Sequence, residues 1–192
     1  MLASQSAVRR TMLEAAGIPV ETMGAVLDER AVEARLPDSP PDALAMLLAR
    51  EKARTVAAKC PGRAVLGADQ ILAMNGRRFS KAQDRASARD QLMALAGRAH
   101  ALYAAAAVVR DDMVLFEHVG VARLTMRSFS AAFLESYLDL AGSAVTSSVG
   151  GYQVESLGIQ LFDRIEGDHF TILGLPLVAL LDFFRRDGWL AS

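Results

Sequence analysis

The stretch Ala64-Val65-Leu66-Gly67-Ala68-Asp69-Gln70 runs an apolar segment into a carboxylate and then an amide. A short apolar run reads as a buried strand, and α/β proteins bind ligands where strands end. An acid delivered at that point is a candidate for chemistry, although an Asp there can equally close a turn or cap a helix. What weighs for chemistry is the set of residues elsewhere: Ser4, Ser6 and Arg9 near the amino terminus, then Glu29, Lys52 and Lys81.

Ser4, Ser6 and Arg9 sit where an extended segment turns into a helix. Helix amino termini present free N–H groups and partial positive charge, so two hydroxyls and a guanidinium there would suit phosphate. The plainer alternative is that Ser6 caps the helix and Arg9 is solvated. Glu29 and Asp69 carry hard oxygen ligands which, if brought together, suit Mg²⁺ or Mn²⁺ better than a soft metal. Lysine occurs only at positions 52, 59 and 81, against 18 arginines. A compact ammonium suits a phosphate oxygen in a tight site, which marks Lys52 and Lys81; Lys59 reads as a surface residue beside a turn. The carboxylates would hold the metal and orient water, and the cations would take up charge on phosphate oxygens. His100, His118 and His169 show no metal spacing, and no GxxxxGK[ST] loop occurs.

The elements that must position these groups can be read in turn. Leu2-Ala3 reads as a strand end, and Ser6 as the cap of a helix to about Ala16 that Gly17 stops. Ile18-Pro19-Val20 opens an extended segment leading to Asp28-Glu29. Pro37 to Pro41 is a loop, and a long helix follows to about Lys59, with Leu44, Leu47, Leu48 and Ala53 as its core stripe. Residues 64–74 read as the buried strand and Asn75-Gly76 as a hairpin turn, with Ser80-Lys81 on the loop beyond. Asp84 opens a helix to Leu95. Strands over 98–110 and 113–127 meet at Asp111-Asp112, and Ser130 caps a helix to Leu140. Gly150-Gly151 is a tight loop, Ile159 to Phe162 a short strand, and Gly174-Leu175-Pro176 leads into a last helix to Arg186. The expected fold is α/β: a mixed, twisted sheet flanked by helices, with two lobes around a cleft, and residues 1–192 form one domain.

Of 192 residues, 52% are hydrophobic and 22% charged, a globular balance. The net charge of −1 gives no field for a nucleic-acid polymer or an anionic membrane. The longest apolar run, Ala101 to Val109, is far short of the roughly 20 residues of a membrane helix. Cys60 is the sole cysteine; no internal disulfide is possible, which fits a reducing cytoplasm. No apolar targeting segment follows Arg9-Arg10.

Taken together, the pieces resemble the Maf (septum-formation-inhibitor-like) family of nucleoside triphosphate pyrophosphatases over essentially the full length. They are Leu2-Ala3-Ser4-Gln5-Ser6 with Arg9, Asp28-Glu29, Ala49-Arg50-Glu51-Lys52-Ala53, Gly67-Ala68-Asp69-Gln70, Lys81 and Gly174-Leu175-Pro176-Leu177. The resemblance implies metal-dependent cleavage between the α- and β-phosphates of a nucleotide, and a homodimer. Asp69 would accept the proton of the attacking water and, with Glu29, hold the metal. Lys52, Lys81, Arg9, Ser4 and Ser6 would serve the triphosphate. Gln70 and the segment from Glu155 to Gly167 are similar to the 7-methyl-GTP branch, with Val8, Gln70 and Glu155 setting base choice. A buried Glu155 carboxylate would accept from the N–H donors of a guanine edge. Val8 stands where that branch usually has Trp. Ser80-Lys81-Ala82 and Ser6-Ala7 depart from the family's Gly-Lys-Pro and Ser-Pro. A pyrophosphatase for dTTP, UTP or another modified nucleotide, and a nucleotide-binding regulator of cell division with weak catalysis, remain the alternatives.

Overall fold

A computed structural model describes residues 1–191. Helix α1 (Ala7–Ala15) starts where the sequence places it: the Ser6 Oγ accepts from the Arg9 N–H at 3.4 Å, and Met12 and Leu13 point inward. Helix α2 (Glu29–Arg35) was not expected. It is seven residues long and buries none of them, so it leaves no apolar period to read; the Asp28 cap is its one signal. Helix α3 (Pro41–Ala57) begins on a proline at its first turn and buries Leu44, Leu48 and Ala53 as expected, together with Ala45, Ala49, Val56 and Ala57, while Leu47 is only partly buried.

Strand β1 (Ala64–Met74) is buried along nearly its whole length and turns at Asn75-Gly76, both with positive φ, into the short β2 (Arg77–Phe79). Asp84 and Ser87 form a reciprocal cap for α4 (Arg85–Leu95). Strands β3 (Ala99–Arg110) and β4 (Met113–Met126) form the second hairpin. Ser130 caps α5 (Ala131–Ala141), followed by the one-turn α6 (Ala144–Ser147). The expected strand over 159–162 is a 3₁₀ turn instead (Leu157–Leu161). The strand begins at Phe162, as β5 (Phe162–Glu166), and pairs antiparallel with Arg123–Met126 of β4. Asp163, Arg164 and Glu166 make β5 a polar edge strand, so its sequence carries little apolar signal. Asp168 caps the single turn α7 (His169–Ile172), and α8 (Leu177–Arg186) closes the fold.

The strands form one five-stranded sheet in the order β2-β1-β3-β4-β5. Leu2 adds isolated parallel bridges to Leu66 and to Thr22, so the reading of 2–3 as a strand end reduces to a single bridged residue. The chain divides into two compact units: Met1–Gln70 with Tyr103–Gly120 and the segment from Asp168 onward, and Ile71–Leu102 with Val121–Gly167. In the first unit the sheet is covered on both faces. Leu66, Ala68, Ala106 and Val108 pack with Met12 and Leu13 of α1 and with Leu180, Phe183 and Phe184 of α8. Val65 and Val109 pack with Ala53, Val56 and Ala57 of α3. No helix among the described residues is long and apolar enough to cross a membrane.

The second unit is built around fully buried Leu72, Leu92, Leu95, Leu102, Leu124, Met126, Leu134 and Leu138. Among them sits His100, whose Nε2 lies 2.7 Å from the Tyr152 hydroxyl, with the Phe162 ring beside both. Burial lowers the His100 pKa to about 4. The imidazole is therefore neutral in the folded chain, whereas the unfolded chain takes up its proton near pH 6.5. Stability from this site is complete above pH 6.5 and declines as the pH falls toward 4, by roughly 3 kcal/mol at most. Melting temperatures of the wild type and His100→Gln should converge between pH 7 and pH 4.5; a constant gap would show that His100 does not titrate in this way.

Candidate active site

Asp69 lies in the middle of β1, which runs on to Met74, and not at the strand end that the sequence suggests; residues alternate between the two faces of a strand, and β1 uses both faces here. Val65, Gly67 and Asp69 turn toward α3; Leu66, Ala68 and Gln70 turn toward α1, α7 and α8. On the α3 side, Gly67 sets the spacing. A Cβ there would lie 2.0 Å from the Ala49 carbonyl oxygen and 2.7 Å from the Ala53 nitrogen, so only glycine lets the helix backbone settle onto the strand. Ala49 and Ala53, both fully buried, are the matching small residues on α3. Between them Lys52 is carried to Asp69. The bidentate pair of Arg50 with Glu117 of β4 holds the same helix turn from its outer side.

Lys52 Nζ lies 2.6 Å from Asp69 Oδ1 and 2.8 Å from Glu29 Oε1. The Lys52 and Asp69 side chains are 12% and 9% exposed, whereas Glu29, the first residue of α2, is 47% exposed. Burial raises the Asp69 pKa above the ordinary carboxylate range; the Lys52 charge and hydrogen bond, and the Arg9 charge, act against that rise, while Glu29 adds to it. Asp69 is thus a shielded carboxylate with a proton affinity higher than usual, which is what a proton acceptor requires. Glu29 and Asp69, separated by 40 positions in the sequence, share one ammonium. Among the described residues no group of three or more His, Cys, Asp or Glu could by itself hold a metal ion. Two hard carboxylates do fit a Mg²⁺ ion, which keeps several waters and takes further oxygens from substrate phosphates rather than from a full protein cage.

The other face departs further from expectation. Arg9 is a partly buried brace: its Nε donates to the Gly174 carbonyl at 2.8 Å, and its Nη1 to the Ala68 carbonyl at 3.1 Å and to Ser4 Oγ at 3.4 Å. Burial lowers its pKa, with Asp69 and Glu29 acting against the shift. Ser4 is buried and its Oγ also accepts from the Ser6 N–H at 3.2 Å. The two serines and Arg9 do come together, but their mutual hydrogen bonds build the turn into α1. Gln70 donates through its single amide nitrogen to the carbonyls of Thr171, at 3.1 Å, and Ile172, at 2.9 Å. Val8 is partly buried against the apolar cluster around Leu13, not presented as a free face.

Lys81 and Glu155 belong to the second unit. Lys81 is exposed and bridges Val149 through its backbone. Glu155 is exposed just before the 3₁₀ turn, so the expected burial of its carboxylate is corrected: the residue lies on a polar loop with Ser156, outside the apolar core. Sequence reading missed the role of α7 as a partner for Gln70. The Asp168-to-Thr171 capping interval was the available signal, since Asp168 Oδ2 accepts from both the Thr171 N–H and its hydroxyl.

This arrangement belongs to a known class. The chain is a member of the Maf-like protein family, whose pattern matches residues 1–186. A relative from Nitrobacter winogradskyi, called nucleoside triphosphate pyrophosphatase, is 55% identical over 100% of this chain and 95% of its own length. One of the same description from Bradyrhizobium diazoefficiens is 53% identical over the same shares. A relative from Mesorhizobium japonicum, called 7-methyl-GTP pyrophosphatase, is 48% identical over 98% of this chain and 96% of its own.

The buried pair makes a prediction about stability. Lys52→Met leaves Asp69 without its ammonium and should destabilise the protein by about 3 kcal/mol at pH 8. An acid whose folded pKa is raised favours folding at low pH and loses that contribution as the pH rises through the folded value. The deficit should therefore be smaller at pH 5 than at pH 8, and Lys52→Met combined with Asp69→Asn should recover part of it. Lys59→Ala should stay within roughly 0.5 kcal/mol. Urea denaturation at both pH values measures all four proteins.

Proposed function

We propose that the protein is a nucleoside triphosphate pyrophosphatase that hydrolyses the bond between the α- and β-phosphates to a nucleoside monophosphate and pyrophosphate. The observation that carries this reading is the buried Asp69, paired with Lys52 and Glu29 in the middle of β1, in a member of a family with relatives of that name. Asp69 accepts the proton of the water that attacks the phosphorus, and its raised pKa favours that transfer. Lys52 stays close to the developing negative charge. Glu29 and Asp69 would hold a Mg²⁺ or Mn²⁺ ion, which when bound neutralises phosphate charge. Arg9 and the turn at Ser4 and Ser6 hold β1 in place beside Asp69, and the Arg9 charge adds to the local positive field. Lys81 is assigned to a phosphate oxygen on its motif alone.

For the base, the reading is 7-methyl-GTP, with Val8, Gln70 and Glu155 bearing on the choice. It is supported by Gln70, by the segment around Glu155 and by the Mesorhizobium relative's name. The exposed Glu155 carboxylate can accept from paired N–H donors of a guanine edge, and a cationic base adds attraction. The unpaired Cys60 supports a reducing cytoplasm, and the family resemblance supports a homodimer.

Asp69→Asn should keep the fold and lower pyrophosphate release about 100-fold or more, because an amide can neither take the proton nor neutralise a metal. A purified variant with near-wild-type turnover would remove the mechanism. Its counterpart for specificity is Glu155→Gln, which should cut the preference for 7-methyl-GTP over dTTP and UTP by roughly 10-fold. The comparison is kcat/KM on 7-methyl-GTP, GTP, dTTP and UTP. A wild type that prefers dTTP or UTP would reject the base assignment and leave the reaction intact.

A further inference from the structure

The middle of β1, around Asp69, is held on the α7 side by a chain of contacts that starts at Asp168. Asp168 Oδ2 accepts from the Thr171 N–H at 2.8 Å and from Thr171 Oγ1 at 2.9 Å. Thr171 is buried, and β4 leaves room for it only because position 120 is glycine: a Cβ there would lie 2.5 Å from Thr171 Oγ1. Once the turn is capped, the Thr171 and Ile172 carbonyls face Gln70, and its amide nitrogen donates to both. A carboxamide has two N–H donors on one nitrogen, and both are spent here. A flipped amide would set its oxygen against two carbonyl oxygens, so the orientation has a single solution. Two residues on, Gly174 has φ +96°, and a Cβ there would meet an Arg9 Nη at 3.3 Å and Gln70 Oε1 at 3.4 Å. Arg9 ties the Gly174 carbonyl back to that of Ala68. Ala68 and Gln70, the neighbours of Asp69, are thus both fastened to the segment that Asp168 caps.

We infer that Asp168 is a positioning residue for the reaction: by capping α7 it fixes Gln70, and through Gln70 the part of β1 from which Asp69 projects. Asp168 touches no reacting atom. Its effect follows from geometry, since Asp69 faces α3 while its two neighbours are clamped on the opposite face, and a small displacement of a reacting group is costly. The inference rests on the pyrophosphatase reading and adds a residue that the motifs do not mark.

The test compares Asp168→Ala with Asp168→Asn, which keeps a capping oxygen, and with Asp84→Ala, which removes the cap of α4 in the second unit. Each is assayed for pyrophosphate release from 7-methyl-GTP, for its melting temperature, and by NMR for the Gln70 side-chain amide protons. Asp168→Ala should lose about 10-fold or more in kcat with KM within roughly 3-fold, and its Gln70 amide protons should exchange freely. Asp168→Asn should restore kcat and amide protection. Asp84→Ala should lose melting temperature and keep kcat. An Asp168→Ala enzyme with wild-type kcat, an equal loss in Asp84→Ala, or no rescue by Asn would overturn the inference. Failure of the underlying reading is a separate outcome, a wild type without turnover; the amide protons then decide, since unaltered protection in Asp168→Ala rejects the positioning role and its loss upholds it.

Discussion

Asp69 sits 6% exposed in the middle of a buried strand, and a carboxylate can be ionised there only if a cation comes with it. Much of the first unit can be traced to that constraint. Lys52 must reach Asp69, so α3 must lie unusually close to β1. That approach requires Gly67 on the strand, where a Cβ would strike the Ala49 and Ala53 backbone, and Ala49 and Ala53 are themselves small and fully buried. Glu29 then takes the outer side of the same ammonium, which gives the short α2 a reason to be where it is, although it buries no residue of its own. The pair is expensive to assemble and costly to break, so it supports function more readily than it explains stability.

The strand around Asp69 is legible in the sequence because its demands are local. An apolar run over 64–74, interrupted only by Asp69-Gln70, marks a buried strand, and Gly67, two positions before Asp69, marks a close approach. The caps at Ser6, Asp84 and Ser130 are equally local, and each donates or accepts as its residue type demands. What escaped lies in elements with no period to read. Helices α2 and α7 have seven and four residues, too short for an amphipathic stripe to repeat. β5 is polar along an edge. Arg9 escaped for a different reason: a guanidinium three residues into a helix reads as a phosphate ligand or as solvated. Only tertiary structure supplies the Gly174 and Ala68 carbonyls that bury it. Glu155 shows the reverse error, in which a specificity argument presumed burial that a polar loop does not provide.

The alternation of β1 also separates two tasks. On the α3 side the groups are ionic, in reach of each other, and arranged so that one proton acceptor is held beside one cation. On the α7 side the groups are neutral acceptors with donors spent on them, and they carry rigidity rather than charge. Arg9 joins the two: its hydrogen bonds go to carbonyls on the neutral side, while its charge is felt by Asp69 and Glu29. A partly buried guanidinium with carbonyl partners keeps its full charge uncancelled by a carboxylate contact, so its field remains available to Asp69 and Glu29.

Charge balance then constrains how a nucleotide could be met. Within the first unit the site holds two cations, Lys52 and Arg9, against two carboxylates, Asp69 and Glu29. It is close to neutral before any substrate arrives. A triphosphate placed beside it brings several negative charges next to two carboxylates, which is unfavourable in a partly buried setting. Lys52 cannot answer that charge alone, because Asp69 and Glu29 already engage it. On the proposed reading, a divalent ion held by Glu29 and Asp69 would supply the missing positive charge and leave the Lys52 ammonium free for a phosphate oxygen. Until such charge arrives, Lys52 is what keeps two carboxylates together in a partly buried setting. The pairing seen without substrate is therefore a resting arrangement that holds both oxygen ligands in place for the charge a polyphosphate needs.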